Sequence, residues 1–105
     1  MDSEGKYGYT AQMEFEWDAR KATKNLRKHK VSFGEAATVF ADPLSITVPD
    51  PDHSIQERRY LTIGMSNQLR RLIVAHTERG NRIRIVTARP LTRAEREAYE
   101  EEIQG

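Results

Sequence analysis

Three runs rich in Ile, Val, Leu and Thr follow one another in the second half of the chain, at residues 58–64, 70–78 and 82–89. Turn-forming residues punctuate them: Gly64, Asn67 and the pair Gly80–Asn81. Runs with this spacing are typical of neighbouring antiparallel strands. The second half of the chain therefore predicts an antiparallel sheet, and the remaining segments must cover its apolar surface.

A two-residue turn at Gly80–Asn81 would fix the register of the last two runs. Arg79 would then face Arg82, and Thr77 would face Arg84. Because side chains alternate between the faces of a strand, this register predicts one apolar core face, formed by Leu72, Val74, Ile83 and Ile85. Arg79, Arg82 and Arg84 are predicted to share the opposite face.

Helix signals lie on both sides of the sheet segment. Asp18 can cap a first helix over residues 18–29. Ser32 with Glu35 has the spacing of a capping box, and the helix it opens should stop before the proline at residue 43. Thr92 with Glu95 repeats that box and predicts a C-terminal helix to about residue 102.

Short strands are also predicted at residues 15–17 and 44–48, so the order of elements is β-α-α-β-β-β-β-α. We expect an α+β fold: an antiparallel sheet with two N-terminal helices and one C-terminal helix, all on one face. The length of 105 residues suits one domain. Residues 1–12 lack periodicity and are expected to form a loosely ordered extension, with the domain over residues 13–105.

The charge is arranged in blocks. Residues 58–89 carry eight arginines, no lysine and one glutamate, while residues 41–57 and 90–105 are acidic. Arginine grips phosphate in a bidentate way, so the block predicts a surface that binds anions. The alternative is an ordinary solvated sheet face.

Metal chemistry is not expected. The chain has no cysteine, and its three histidines lack metal-binding spacing. Asp50, Asp52 and His53 stand in a proline-rich turn sequence, which explains them without a cation. Nor is there a glycine-rich phosphate loop, so we expect no cofactor. The absence of cysteine and of a long apolar run fits a cytoplasmic protein without a membrane segment.

RNA cleavage demands little of a protein, because the 2′-hydroxyl of the substrate is an internal nucleophile. The enzyme must hold that hydroxyl in line, supply positive charge and move a proton. Suitable positive charges are Arg59, Arg79, Arg84 and Arg89, and suitable proton carriers are His29, Glu35 and Tyr99. A helix-end role for His29 and a core role for Tyr99 are equally open, whereas Trp17 and His76 are expected in the core.

Several motifs occur in a characteristic order. They are Phe15-Glu16-Trp17-Asp18, Lys28-His29 with Val31 and Phe33, Glu57-Arg58-Arg59-Tyr60, Ile83-Arg84-Ile85, Thr87-Ala88-Arg89, and Thr92 with Glu95 and Tyr99. In this order they resemble the BrnT toxins, which are ribonucleases of type II toxin–antitoxin systems. The resemblance covers residues 13–103.

The resemblance implies a RelE-like fold and cleavage of RNA without a metal, which blocks translation. It also implies a BrnA-like antitoxin with a ribbon-helix-helix part, in a complex with two copies of each protein that reaches promoter DNA through the antitoxin. The matching positions suggest His29, Arg59, Arg79, Arg84 and Tyr99 as catalytic residues. Lys28, Arg82 and Arg89 are expected to bind RNA.

Two departures from the family pattern concern the N-terminal extension and the end of the first helix. Residues 1–12 have no counterpart in the pattern, and Lys30 stands where a glycine usually follows the histidine. A lysine there either takes a positive φ or ends the helix differently.

The alternative function is a non-catalytic module whose basic surface binds RNA or an acidic protein.

Overall fold

The computed structural model describes residues 13–51 and 58–104. These residues form five strands, three α-helices and one 3-10 turn, Val39–Ala41, that extends the second helix. The strands are β1 Glu14–Glu16, β2 Ile46–Pro49, β3 Arg59–Met65, β4 Arg71–Arg79 and β5 Arg82–Pro90. The helices are α1 Ala19–His29, α2 Phe33–Thr38 and α3 Arg93–Gln104.

All five strands belong to one sheet, in the order β1-β5-β4-β3-β2. Strands β2 to β5 are antiparallel neighbours, as predicted, but β1 pairs with β5 in parallel. The sheet is therefore mixed. The α+β class, the two N-terminal helices and the C-terminal helix are confirmed.

The turn at Gly80–Asn81 sets the predicted register. Arg79 pairs with Arg82, and Thr77 pairs with Arg84. Gly80 has φ 62°, which a glycine adopts without steric cost. Further along, Ala75 pairs with Thr87 and His76 with Ile85, so a bulge falls at residue 86 of β5.

The core lies between the sheet and the first two helices. The four apolar residues predicted for the core face are all buried. Leu72, Val74 and Ile85 form one cluster with Val31, Phe33, Ala36 and Val39, which belong to α2 and to the segments on either side of it. Since these helices carry few large apolar residues, the sheet supplies most of the remaining bulk.

The prediction that all three helices share one face is wrong. Ile63 and Ile73 alternate along their strands with core residues and so point to the other face. There they line a groove of about 420 Å³ with Ala98 and Tyr99 of α3. α1 and α2 thus cover one face, and α3 covers one end of the opposite face.

Two of the three predicted caps form as expected. The Asp18 carboxylate accepts from the backbone N–H groups of Arg20 and Lys21. Thr92 and Glu95 form the complete reciprocal box, with side-chain-to-backbone distances of 2.9 and 3.2 Å. The box at Ser32 is only half formed: Ser32 caps the Glu35 N–H, but the Glu35 carboxylate turns to other partners.

α1 lies along the free edge of β5, where β1 no longer pairs. The buried Asn25 amide accepts from the Ala88 N–H at 3.1 Å and donates to the Ala88 carbonyl at 2.8 Å. It also donates to the Val31 carbonyl at 3.0 Å. Asn25 therefore replaces a neighbouring strand at this point. The helix then ends at Lys30, which takes the left-handed conformation with φ 60°.

Some predictions fall outside the described residues. They concern residues 1–12 and the turn residues Asp52 and His53. Over residues 13–51 and 58–104, no helix is both long and apolar enough to cross a membrane.

Candidate nucleic-acid interface

Four of the predicted site residues meet on the sheet face opposite the core. On β5, Arg84 lies beside Thr77 of β4, and Thr77 lies beside Arg59 of β3. Arg79 and Arg82 form the next row toward the hairpin turn. We call Arg59, Arg79, Arg82 and Arg84 the arginine face. It spans three strands, because the hairpin register and the β3–β4 register place these side chains on the same side.

Two glutamates of β1 flank the arginine face, and sequence reasoning missed them. The parallel pairing sets Glu14 beside Arg82 and Glu16 beside Arg84. Arg82 Nε lies 3.0 Å from Glu14, and Arg84 Nη1 lies 3.1 Å from Glu16. The Arg84 hydrogen bond lowers the pKa of the Glu16 carboxyl, so Glu16 keeps its charge. The sequence shows that Glu14 and Glu16 share one face of β1, but it does not show which strand pairs with β1.

His29 and Lys28 lie at the end of α1, away from the arginine face. Arg84 lies near the start of α1, because it pairs at 3.1 Å with Glu16, two residues before Asp18, which caps that helix. From Asp18 to His29 the helix rises about 16 Å at 1.5 Å per residue. The structure therefore does not bring His29 and Arg84 to a single phosphate. His29 is half-buried and lines a groove that includes Lys28 and Thr87.

Tyr99 also lies apart from the arginine face. Its hydroxyl donates to the Leu44 carbonyl at 3.1 Å, and its ring is 5.9 Å from the Arg71 guanidinium. Arg71 and Arg79 stand at opposite ends of β4, about 26 Å apart at 3.3 Å per residue. Tyr99 is buried, which raises the pKa of its hydroxyl. Its contacts are those of an anchor for α3.

Arg89 is held by the start of α3. Its guanidinium makes a bidentate pair with Glu95, at 2.8 and 3.0 Å. Arg89 is the main reason why the pKa of Glu95 falls to about 2. The same Glu95 caps Thr92, so Arg89 links β5 to α3.

Glu35, a predicted proton carrier, is instead part of a structural ion pair. Its carboxylate accepts from the Arg70 guanidinium and from the Ser66 hydroxyl. The hydrogen bond from Arg70 lowers the pKa of Glu35. A buried carboxylate held charged in this way ties α2 to the β3–β4 turn and is a weak proton acceptor.

The two aromatic side chains expected in the core differ in their environment. His76 is buried, and its Nε2 is 2.7 Å from the Thr62 hydroxyl. Its ring packs against Phe40 and Tyr60. Trp17 packs edge-on against Phe33, but 38% of it is exposed. It therefore only borders the core.

No group of three histidine, aspartate or glutamate side chains that could hold a metal ion occurs within the described ranges, 13–51 and 58–104. Chemically, the arginine face offers guanidinium donors spaced across three strands, which suits the non-bridging oxygens of a phosphodiester.

Comparison with solved structures supports the fold. A 1.1 Å crystal structure of the Brucella abortus ribonuclease toxin BrnT matches with a TM-score of 0.61 and 20% sequence identity. The match covers 77% of this chain and 99% of the Brucella chain. A search of curated proteins finds no relative of this sequence. The RelE-like fold that the motifs implied stays a prediction.

A family comparison shows the relationship directly. The sequence model of the ribonuclease toxin BrnT, of type II toxin–antitoxin systems, matches residues 17–95. This is most of the chain, and it includes the arginine face, α1 and the capping box of α3. The motif-based assignment is thereby confirmed: the chain belongs to the BrnT family of ribonuclease toxins.

Proposed function

We propose that this protein is an endoribonuclease toxin that cleaves RNA without a metal ion and so blocks translation in the cytoplasm. The observation that carries the proposal is the arginine face: four guanidinium groups on three adjacent strands, on the side of the sheet away from the core. Family membership supports the ribonuclease activity.

The chemistry follows from charge and position. When the 2′-hydroxyl attacks, charge builds up on the phosphorane oxygens, and fixed guanidinium donors stabilise it. We assign Arg59, Arg79 and Arg84 to this role, with Arg82 binding a neighbouring part of the RNA. The proton carrier must reach the reacting hydroxyl, and neither predicted candidate lies beside the arginines: His29 stands about a helix length away, and the Tyr99 hydroxyl donates to Leu44. We therefore propose His29 as a contact to a neighbouring nucleotide.

The path of the RNA along α1 is part of the proposal. His29 lies at the far end of α1 from Arg84, so RNA must extend along the helix to touch both. Lys28 precedes His29 and is exposed, which suits a phosphate contact. Arg89 is proposed as an RNA contact only at its solvent-facing side, because Glu95 holds its guanidinium.

The proposed partner is a BrnA-like antitoxin with a ribbon-helix-helix part, in a complex with two copies of each protein. Promoter DNA would be contacted through that antitoxin. Membership in a type II toxin family supports an antitoxin partner. An inhibitor that covers the arginine face would offer acidic groups there, as Glu14 and Glu16 already do within the chain.

The test is induced expression without antitoxin, together with cleavage of a synthetic RNA in the presence of a chelator. Arg79→Ala and Arg84→Ala should each relieve growth arrest and lower the cleavage rate about a hundredfold or more. Arg96→Ala, on the exposed side of α3, is the control and should remain toxic. Cleavage that stops on chelation contradicts the metal-free mechanism, and full toxicity of both variants removes the arginine face from the site.

A second candidate function is a non-catalytic module that binds RNA or an acidic protein. The ion pairs of Arg82, Arg84 and Arg89 with glutamates favour it, because engaged guanidinium groups must exchange partners before they act. This candidate predicts RNA binding that weakens with salt and no cleavage at any protein concentration.

A further inference from the structure

A second basic surface lies on the edge of the sheet, outside the arginine face. It is a groove of about 250 Å³ between α1 and β5, lined by Lys21, Lys24, Asn25, Lys28, His29 and Thr87. We call it the lysine groove. Among the residues that the structure describes, none of those lining it carries an acidic side chain.

The lysines of this groove are unpaired, in contrast to several arginines of the sheet. Within the part of the chain that the structure describes, no ion pair is formed by Lys21, Lys24 or Lys28. All three are exposed. Charge that is neither paired nor buried is available to an external anion at no cost in broken contacts.

The spacing of the lysines forms a line. They stand at positions i, i+3 and i+7 of α1, which places them on one side of the helix over about 10 Å. The Asn25 amide fixes that side against β5 through its two hydrogen bonds to Ala88. The line of charge is therefore held in place before any ligand binds.

The groove connects the two separated parts of the candidate site. Its N-terminal end is next to Asp18, the N-cap of α1, and Arg84 pairs at 3.1 Å with Glu16, two residues before that cap. Its C-terminal end is His29. A polyanion lying along the groove would reach from the arginine face to His29, which a single phosphate cannot do.

We infer that the lysine groove binds the sugar–phosphate backbone of a single RNA strand, with Lys21 and Lys24 as phosphate contacts between Arg84 and His29. The inference rests on the proposed function, because it takes RNA as the ligand. An acidic protein segment fits less well, since the anchors at the centre of protein interfaces are commonly Trp, Tyr or Arg, and none of the described side chains that line the groove is of these types.

The test uses the full chain and a 2′-O-methyl RNA oligonucleotide, which lacks the attacking hydroxyl and so reports binding without cleavage. Fluorescence anisotropy gives the dissociation constant as a function of salt. In Lys21→Gln/Lys24→Gln, the slope of log affinity against log salt should fall by about 1.4, or about 0.7 per lost phosphate contact. Affinity at about 50 mM salt should drop at least tenfold.

Matched variants separate charge from position. Arg93→Gln/Arg96→Gln removes the same charge from the exposed side of α3 and should leave the slope unchanged. Lys21→Arg/Lys24→Arg keeps the charge and should restore binding. Equal melting temperatures of the four proteins will show that the fold is intact.

Each outcome bears on one of the two proposals. An unchanged slope in Lys21→Gln/Lys24→Gln overturns the lysine groove as an RNA site, even if wild-type protein cleaves RNA. If the same variant loses only affinity for an acidic antitoxin, the groove is a protein-docking site and the inference is wrong. A lowered slope with no cleavage of ordinary RNA by wild-type protein supports the groove and contradicts the proposed ribonuclease activity.

Discussion

At the scale of single residues, His76 shows how burial in the core changes the pKa of an imidazole. It is buried on the core side of β4, and burial lowers the pKa of its imidazole to about 4. Phe40 and Tyr60 lie against the ring, and the Thr62 hydroxyl is its hydrogen-bond partner. The folded protein therefore holds His76 neutral near pH 7, and His76 acts in packing.

His76 makes stability depend on pH in a defined window. In the unfolded chain its pKa is near the ordinary 6.5, so the unfolded state takes up the proton first as pH falls. The stability contribution is complete above about pH 6.5 and is lost toward pH 4. The free energy of unfolding, measured with urea, should fall by about 2 kcal/mol between pH 7.5 and pH 5.

The carboxylates contribute little in this window, because Glu16, Glu35 and Glu95 have lowered pKa values in the folded protein and ordinary values of 4.5 in the unfolded chain, below pH 5. His29→Gln is the matched histidine control and should keep the pH dependence. His76→Asn should lose most of it. Equal pH dependence in the His76 variant and the wild type would contradict this account.

Asn25 is the residue whose role the sequence least revealed. Its amide satisfies the N–H and carbonyl of Ala88 and the carbonyl of Val31, all in a buried setting. Asn25→Ala leaves these groups without partners and should lower the free energy of unfolding by about 3 kcal/mol. Thr23→Ala, on the exposed side of the same helix, should change it by less than about 0.5 kcal/mol. Similar urea midpoints for both variants would refute the edge-capping role.

At the scale of elements, β1 lowers the positive charge of the arginine face by forming ion pairs with it. Its parallel pairing with β5 sets two glutamates beside two arginines. Three residues of strand thus neutralise part of a block that looks strongly basic in the sequence. The element that covers the β5 edge further on, α1, brings lysines instead.

Removing the β1 glutamates should therefore strengthen RNA binding. Glu14→Gln/Glu16→Gln frees Arg82 and Arg84 from exposed ion pairs, each worth at most about 1 kcal/mol. We expect about fivefold higher affinity for a single-stranded RNA at low salt. Glu101→Gln/Glu102→Gln makes the same charge change on α3 and serves as the control. Unchanged or weaker binding in the β1 variant would show that the two arginines serve the fold alone.

At the scale of the whole molecule, the two faces of the sheet have different coverings. One face is closed by α1 and α2 over an apolar core. On the other face, α3 covers one end near Ile63 and Ile73, while the arginine face occupies the hairpin end. The arginine face therefore lies on a sheet whose opposite face packs against α1 and α2.

A Tyr99 variant tests whether the end of the second face that α3 covers serves stability alone, separately from the arginine face. Tyr99→Phe removes only the hydrogen bond to Leu44, so stability should fall by about 1 kcal/mol while RNA cleavage stays within about twofold of wild type. Urea unfolding and the RNA cleavage assay measure the two effects, and Tyr60→Phe is the control on the core face. Loss of cleavage in Tyr99→Phe at retained stability would restore Tyr99 as a proton carrier.

Several local features of this protein follow from short sequence patterns. Asp18 and the pair Thr92–Glu95 cap their helices as predicted, because a cap depends on groups within a few residues. The Gly80–Asn81 turn likewise fixed the β4–β5 register and grouped the arginines. The motif order led to the toxin family by resemblance, and the family match confirmed it.

Features that depend on distant residues arise only when the whole chain packs. Packing turns the Glu35 carboxylate from its capping box to Arg70, sets Glu14 and Glu16 beside the arginine face, and places α3 on the second face. These outcomes depend on pairings between residues up to about 70 positions apart, for which local sequence patterns contain no signal. The arginine block that the sequence showed as a free surface is therefore, in the folded protein, partly paired, and the unpaired lysines of α1 lie beside it.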